Sequence, residues 1–182
     1  LINKKIIIFI GPDGSGKSTL IKELYKLKYC SIKYMGPSQY KYEKNSILSL
    51  IIIYFNNLRI TTNKKKLKGK FYRFSYFFFL YLDSLFRYIS YTSFNDADII
   101  LIDRFVIDNY VRNPNLIRKI LFVNLFPYPK EIFLMRGQSI SINKRKKDLS
   151  KEKIDLQYNL YDSSLKEKYT KVRNINTTDK NI

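Results

Sequence analysis

The sequence contains no histidine, no tryptophan and a single cysteine, and only six glycines and five prolines. Without histidine there is no Ser–His–Asp triad, no imidazole base and no His metal site, so proton transfer falls to Asp, Glu, Lys or Tyr. Cys30 by itself excludes an internal disulfide and a four-Cys zinc site, and nothing asks for an oxidising compartment. Acidic residues are scarce too: 15 Asp and Glu stand against 34 Lys and Arg, a formal charge of +19. A basic balance ordinarily points to a polyanionic partner. Here Lys, Ile, Asn, Tyr and Phe crowd the chain together, as AT-rich coding alone would produce, so about half of that argument is discounted and no specific nucleic-acid partner is expected.

Long apolar runs are missing as well. Ile6–Ile10 meets Gly11-Pro12 too early for a signal sequence, Ile47–Phe55 falls short of the about 20 residues of a membrane span, and Arg73, Asp83 and Arg87 interrupt the aromatic stretch 71–94. The expectation is a cytoplasmic protein with no membrane span. Its 182 residues suit one domain, 1–182, since independent cores usually need about 100–200 residues.

What is present alternates strand and helix. Ile6–Ile10 is a β-branched run of the kind buried on both faces of a parallel sheet, and Leu20, Ile21, Leu24 and Leu27 follow at helical spacing. Cys30–Met35 is a second strand, closed by Gly36-Pro37. The pattern predicts a helix over Ser46–Ile60, a basic turn over Asn63–Lys70, and a long helix over Phe71–Tyr91 with Phe74, Phe77, Phe78, Tyr81, Leu82 and Leu85 on its apolar side. Asp98–Asp103 and Glu131–Arg136 are further strands, two short helices fill Phe105–Phe126, and Ile140–Lys147 is a basic helical turn. Ile154, Tyr158, Tyr161, Leu165 and Tyr169 mark a last amphipathic helix before a strand at Lys171–Asn176. The expected architecture is α/β: a P-loop three-layer α/β/α sandwich on a five-stranded parallel sheet.

Gly11-Pro12-Asp13-Gly14-Ser15-Gly16-Lys17-Ser18 satisfies G-x-x-x-x-G-K-[ST], the Walker A pattern, with a strand before it and a helix after. Such glycines let successive backbone N–H groups turn inward around a phosphate. The helix adds its positive end, Lys17 reaches the β- and γ-phosphates, and Ser18 supplies a Mg²⁺ ligand. Neither Asn63-Lys64-Lys65-Lys66 nor Asn143-Lys144-Arg145-Lys146 completes an N-K-x-D guanine motif, and a motor ATPase would be longer, so phosphoryl transfer to a small acceptor suits the chain best. Asp103 ends a buried strand, at the sheet edge where ligands bind; it can hold the Mg²⁺ shell, orient an acceptor, or simply cap the next helix. Arg104 beside it can grip an anion bidentately. Lys144-Arg145-Lys146-Lys147 is either a solvated charge run or a basic lid, near 138–151, that brings positive charge to the moving phosphate. Arg145 is the favoured donor in it, because its planar fork matches phosphate oxygens.

These residues resemble the thymidylate kinase family of P-loop nucleoside monophosphate kinases, and within it the divergent members found among surface-polysaccharide genes. Phe9–Leu20, Ile102-Asp103-Arg104-Phe105, Phe126-Pro127-x-Pro129 and Lys144-Arg145-Lys146 carry the resemblance, which runs over nearly the whole chain. It implies ATP- and Mg²⁺-dependent transfer of the γ-phosphate to a small acceptor, with Gly11, Asp13, Gly14, Ser15, Gly16, Lys17, Ser18 and Thr19 at the nucleotide. It further implies Asp13 at the acceptor sugar, Arg104 at the acceptor phosphate, Arg145 as the lid arginine, and a homodimer paired through helices. Lys17, Asp103, Arg104 and Arg145 are thus the catalytic set, with Ser18 and Asp103 at the metal. Where the family's base-reading arginine would stand the chain has Asp83-Ser84, with Arg87 a turn later as the acceptor-binding candidate. Arg136-Gly137-Gln138 replaces the usual acidic, proline-containing turn, and family members continue past residue 182 into a helix near the adenine pocket. A non-catalytic nucleotide-binding module and a kinase of a glycan precursor remain the alternatives.

Overall fold

Alternation within each strand decides how the layers form. In the computed structural model, which describes residues 5–26, 30–36, 70–146, 149–168 and 170–177, strand β1 is Lys5–Ile10. Its Ile8 and Ile10 point into a large core, whereas Phe9 points to the opposite face. Strand β3 (Ile99–Asp103) repeats this with Ile100 and Ile102 against Leu101, and β4 (Glu131–Arg136) with Ile132 and Leu134 against Met135. Successive side chains of a strand face opposite ways, so an unbroken apolar run needs cover on both faces. With β2 (Cys30–Tyr34) and β5 (Lys171–Asn176), the strands form one five-stranded sheet in the order β2-β3-β1-β4-β5, and every pairing is parallel.

Helix α1 (Lys17–Tyr25) lays Ile21, Leu20 and Leu24 on the smaller core. The opposite face carries α2 (Lys70–Ser93), α3 (Asp108–Val111), α4 (Leu116–Arg118) with the π-helical stretch Lys119–Asn124 that continues it, and α6 (Lys151–Glu167). Helix α5 (Ser139–Arg145) follows β4 and buries Ile142. The expected three-layer α/β/α architecture with its five parallel strands is therefore observed. Strands β4 and β5 match their expected bounds, and the others lie within one residue of theirs.

The face of α2 differs from expectation. Among its described side chains, Phe77, Leu80, Asp83, Ser84, Arg87 and Tyr91 are buried, while Phe74 and Phe78 are 49% and 39% exposed. The helix is apolar nearly all round, so its periodicity selects no face, and packing against Phe105, Phe126 and the α4 segment decides. The α6 residues Ile154, Tyr158, Tyr161 and Leu165 are buried as expected, and Ser150 caps that helix by accepting a hydrogen bond from the Lys153 N–H. The expected helix Ser46–Ile60 and most of the basic turn after it lie outside the described residues, as does Tyr169. Among the described residues no helix is long and apolar enough to cross a membrane.

Candidate active site

The chain leaves the central strand β1 at Ile10 and turns into the glycine loop between the ends of β3 and β4. Phe9 pairs with Asp103 on one side and Ile10 with Leu134 on the other, which puts the loop at the carboxyl edge of the sheet, where strand order reverses. Gly11 sits at φ 139, and a Cβ there would come within 2.7 Å of the Met135 carbonyl oxygen, so the turn needs glycine. Gly16, at φ 86, precedes the first turn of α1.

Lys17 is buried at the start of α1. Its ammonium donates to the carbonyl oxygens of Gly11 (2.6 Å) and Pro12 (2.7 Å) and to Ser15 Oγ (3.1 Å). Burial, with Arg104 nearby, pushes its pKa down from 10.5 to about 8, against the pull of Asp108, Asp13 and Asp103. The sign has two consequences. Between about pH 8 and 10.5 the unfolded chain holds more protons, so the contribution of this group to stability rises with pH. A phosphate placed against Lys17 would favour the charged amine, so binding of a nucleotide there above pH 8 would take up a proton. Calorimetry at pH 8.5 in buffers of different ionisation enthalpy is expected to show that uptake. Affinity should then fall by up to about tenfold per pH unit above 8. A heat independent of buffer would contradict the assignment.

Asp103 ends β3 beside the loop. Its Oδ2 accepts a 3.3 Å hydrogen bond from Ser18 Oγ, while Oδ1 is buried without a hydrogen-bond partner. Burial raises the pKa of its carboxyl, opposed by Lys17 and Arg104. No cluster of three His, Cys, Asp or Glu side chains occurs among the described residues. An orphaned carboxylate oxygen next to a serine hydroxyl is nevertheless the donor set Mg²⁺ uses when phosphates and water complete its octahedron. The residues present fit that ion.

Arg104 adopts φ 69, in the left-handed region, directly after β3. Three contacts impose this conformation: the Arg104 N–H donates to the Phe9 carbonyl (2.9 Å), the guanidinium donates to Asp108 Oδ2 (2.9 Å), and it pairs with Asp13. Phe105 is fully buried and meets Phe126 and Tyr128 edge-on at 5.5 and 5.3 Å, which anchors the turn from behind. Below Arg104, Asp108 is fully buried and also accepts from the Tyr161 hydroxyl at 2.7 Å. Burial and the Asp108 charge push that tyrosine's pKa well up, so it stays a donor. Burial raises the pKa of Asp13, but the guanidiniums of Arg104 and Arg112 outweigh it and keep the carboxyl below its ordinary value.

Arg145, near the end of α5, returns to the loop and donates to the Gly14 carbonyl at 3.3 Å, and a Cβ on Gly14 would meet the Lys146 stem at 3.1 Å. A cavity of about 270 Å³ is lined by Gly14, Gly16, Lys17, Ser18, Thr19, Arg104 and Arg145. That is slightly below the usual size of a small-ligand pocket and suits a phosphate chain. All seven belong to the expected nucleotide-binding or catalytic sets: six come from the loop and the strand end, and Arg145 reaches Gly14 from 131 residues away in sequence.

Arg87 is not brought to this cavity. Its guanidinium is buried against Asp83, one turn earlier on α2. Asp108, Arg112 and Tyr161 were not singled out from the sequence as site residues, although Arg104, Asp108 and Arg112 recur at four-residue intervals, the spacing at which side chains meet across helical turns.

Sheet order, loop and flanking strand end define a P-loop α/β fold. Among solved structures, the fold is shared with thymidylate kinases. The chain is similar to the thymidylate kinase from Candida albicans at a TM-score of 0.61 and 15% identity, covering 98% of this chain and 85% of that one. It is also similar to the thymidylate kinase from Ehrlichia chaffeensis at a TM-score of 0.51 and 16% identity, covering 99% and 90%. No family model matches the sequence, and no curated protein matches it.

Proposed function

We propose that the chain is an ATP-dependent phosphotransferase of thymidylate-kinase type, moving the γ-phosphate of ATP to a nucleoside monophosphate such as dTMP or a related small acceptor. One observation carries the reading: the phosphate loop, Arg104 and Arg145 line a single cavity, with the Ser18–Asp103 pair beside it. In the reaction an acceptor oxygen bonds to the γ-phosphorus while the bond to the bridging oxygen of ADP breaks. Positioning and charge compensation are what a protein supplies to such a transfer.

The loop N–H groups and Lys17 hold the β- and γ-phosphates. Arg104 faces the acceptor side, and Asp13 meets an acceptor hydroxyl. Arg145, on the basic segment 138–151, neutralises charge on the phosphoryl group, and closure of that segment excludes water. Ser18 and Asp103 would hold Mg²⁺, which would supply charge neutralisation for the transferring phosphate. The proposed setting is a cytoplasmic single domain, paired with a second copy through its long helices.

The buried Asp83–Arg87 pair favours a second reading of the acceptor. An arginine engaged by its own helix is poorly placed to read thymine, so a phosphorylated glycan precursor is the alternative substrate. The deciding experiment is coupled ADP release with ATP and Mg²⁺ over all common nucleoside monophosphates and a set of sugar phosphates. Turnover with one acceptor class is the expected result and names the substrate. ADP release that no acceptor raises above the basal rate would leave a nucleotide-binding module.

A further inference from the structure

The reading above gives no role to Arg112. This residue caps α3, its backbone N–H donating to the Asp108 and Tyr110 carbonyls, and its side chain turns back to the phosphate loop. Its Nη2 donates to both oxygens of Asp13, at 2.9 and 2.7 Å, and the Arg104 guanidinium pairs with the same Oδ1. Two guanidiniums that reach one oxygen converge on one point, so they are arranged for a single anion and not for two separate ones.

Their supports differ. Arg104 is held from below by the buried Asp108, whereas among the described residues Arg112 pairs only with Asp13. The pair is also wet: the side chains of Asp13 and Arg112 are 34% and 30% exposed, against 14% for Arg104. Arg104 also lines the phosphate cavity, so the convergence point lies one side chain away from where the γ-phosphate would sit. A phosphate monoester presents oxygens to two guanidiniums as a carboxylate does, with up to twice the charge, and can displace it.

We infer that Arg112 is a specificity-determining residue: with Arg104 it forms a two-guanidinium seat for one phosphate of the acceptor, and Asp13 is a placeholder that yields this seat when the acceptor arrives. An unphosphorylated alcohol carries nothing that displaces the carboxylate, so the seat selects phosphomonoesters. The released Asp13 is then free to accept from an acceptor hydroxyl. That the seated ligand is a phosphoryl acceptor rests on the proposed kinase reading; the seat itself does not.

The test uses the full chain with the phosphate loop filled by a non-hydrolysable ATP analogue and Mg²⁺, and follows inorganic phosphate by calorimetry. Wild type is expected to bind one phosphate saturably. Arg112→Ala should weaken that binding about tenfold or more with affinity for the ATP analogue unchanged, and Arg112→Lys should recover part of the loss. Asp13→Asn should tighten phosphate binding severalfold, since it removes the competing anion; a structural pin between loop and helix would give the reverse. No saturable phosphate binding in wild type, unchanged binding in Arg112→Ala, or weaker binding in Asp13→Asn would each overturn the inference. If Arg112→Ala does not fold, the Arg112→Lys and Asp13→Asn measurements decide. Phosphate binding as expected with no acceptor-dependent ADP release would remove the kinase reading and leave the seat. Turnover with an acceptor KM unaffected by Arg112→Ala would do the opposite.

Discussion

Lys17→Ala is expected to lower acceptor-dependent ADP release by roughly 10²–10³-fold or more, the range for losing one preorganised donor at developing charge. The same change should leave the melting temperature unchanged or raise it. Lys17 is buried and its ammonium is held in the loop at a pKa pushed down to about 8, so the folded state bears a cost for keeping it charged at neutral pH. Three hydrogen bonds to Gly11, Pro12 and Ser15 hold that ammonium in the loop, which suits the phosphate-binding role proposed for it. Coupled ADP release and a thermal melt on the same preparation check both halves. Activity within tenfold of wild type would remove Lys17 from the catalytic set, and loss of activity together with loss of folding would make it structural.

Arg104→Ala is expected to do the opposite to stability. Asp108 is fully buried, and among the described residues its side chain is hydrogen-bonded by Arg104 and the Tyr161 hydroxyl. Deleting the guanidinium removes the cation paired with that carboxylate and leaves only the Tyr161 hydroxyl hydrogen-bonded to it, with the Lys17 charge nearby, a change that costs on the order of 3–5 kcal/mol where one partner of a buried pair is removed. Adding Asp108→Asn should return most of the stability, because a neutral amide needs no counter-charge there and can still accept from Tyr161. Activity should not return, since Arg104 lines the cavity and no other described guanidinium but Arg145 does. Urea denaturation of the two variants, read as midpoints at constant slope, measures the expected recovery. A single-variant loss below about 1 kcal/mol, or no gain from the second change, would mean that the ion pair is not what secures this turn.

Much of the site is visible in sequence because its chemistry is contiguous. The phosphate loop spans eight neighbouring positions, and Asp103-Arg104 follows a run whose apolar character marks a buried strand. Backbone N–H groups do the binding in such a loop, so the pattern that permits the backbone path also identifies the site. The opposite holds for α2. Its aromatic residues occupy nearly every angle round the helix, and hydrophobic spacing assigns Phe74 and Phe78 to a side that the folded chain leaves substantially exposed. Arg87 shows the same limit, since nothing in its sequence neighbourhood says whether the Asp83 one turn away will keep it or leave it to a ligand.

By itself the sequence determined the alternation of strand and helix, the parallel sheet, the phosphate loop and the strand-end carboxylate. The strands, the loop and the carboxylate each depend on residues within a few positions of one another, where backbone geometry translates directly into pattern, and the alternation of doubly buried strands with helices then implies a parallel sheet. Only the tertiary structure decided that Asp13 meets Arg112 across 99 residues, that Asp108 and Tyr161 support Arg104 from beneath, and that Arg145 returns to Gly14. Those contacts join elements brought together by the order of the strands, and side-chain partners at such separations are set by packing in three dimensions, which no local periodicity encodes.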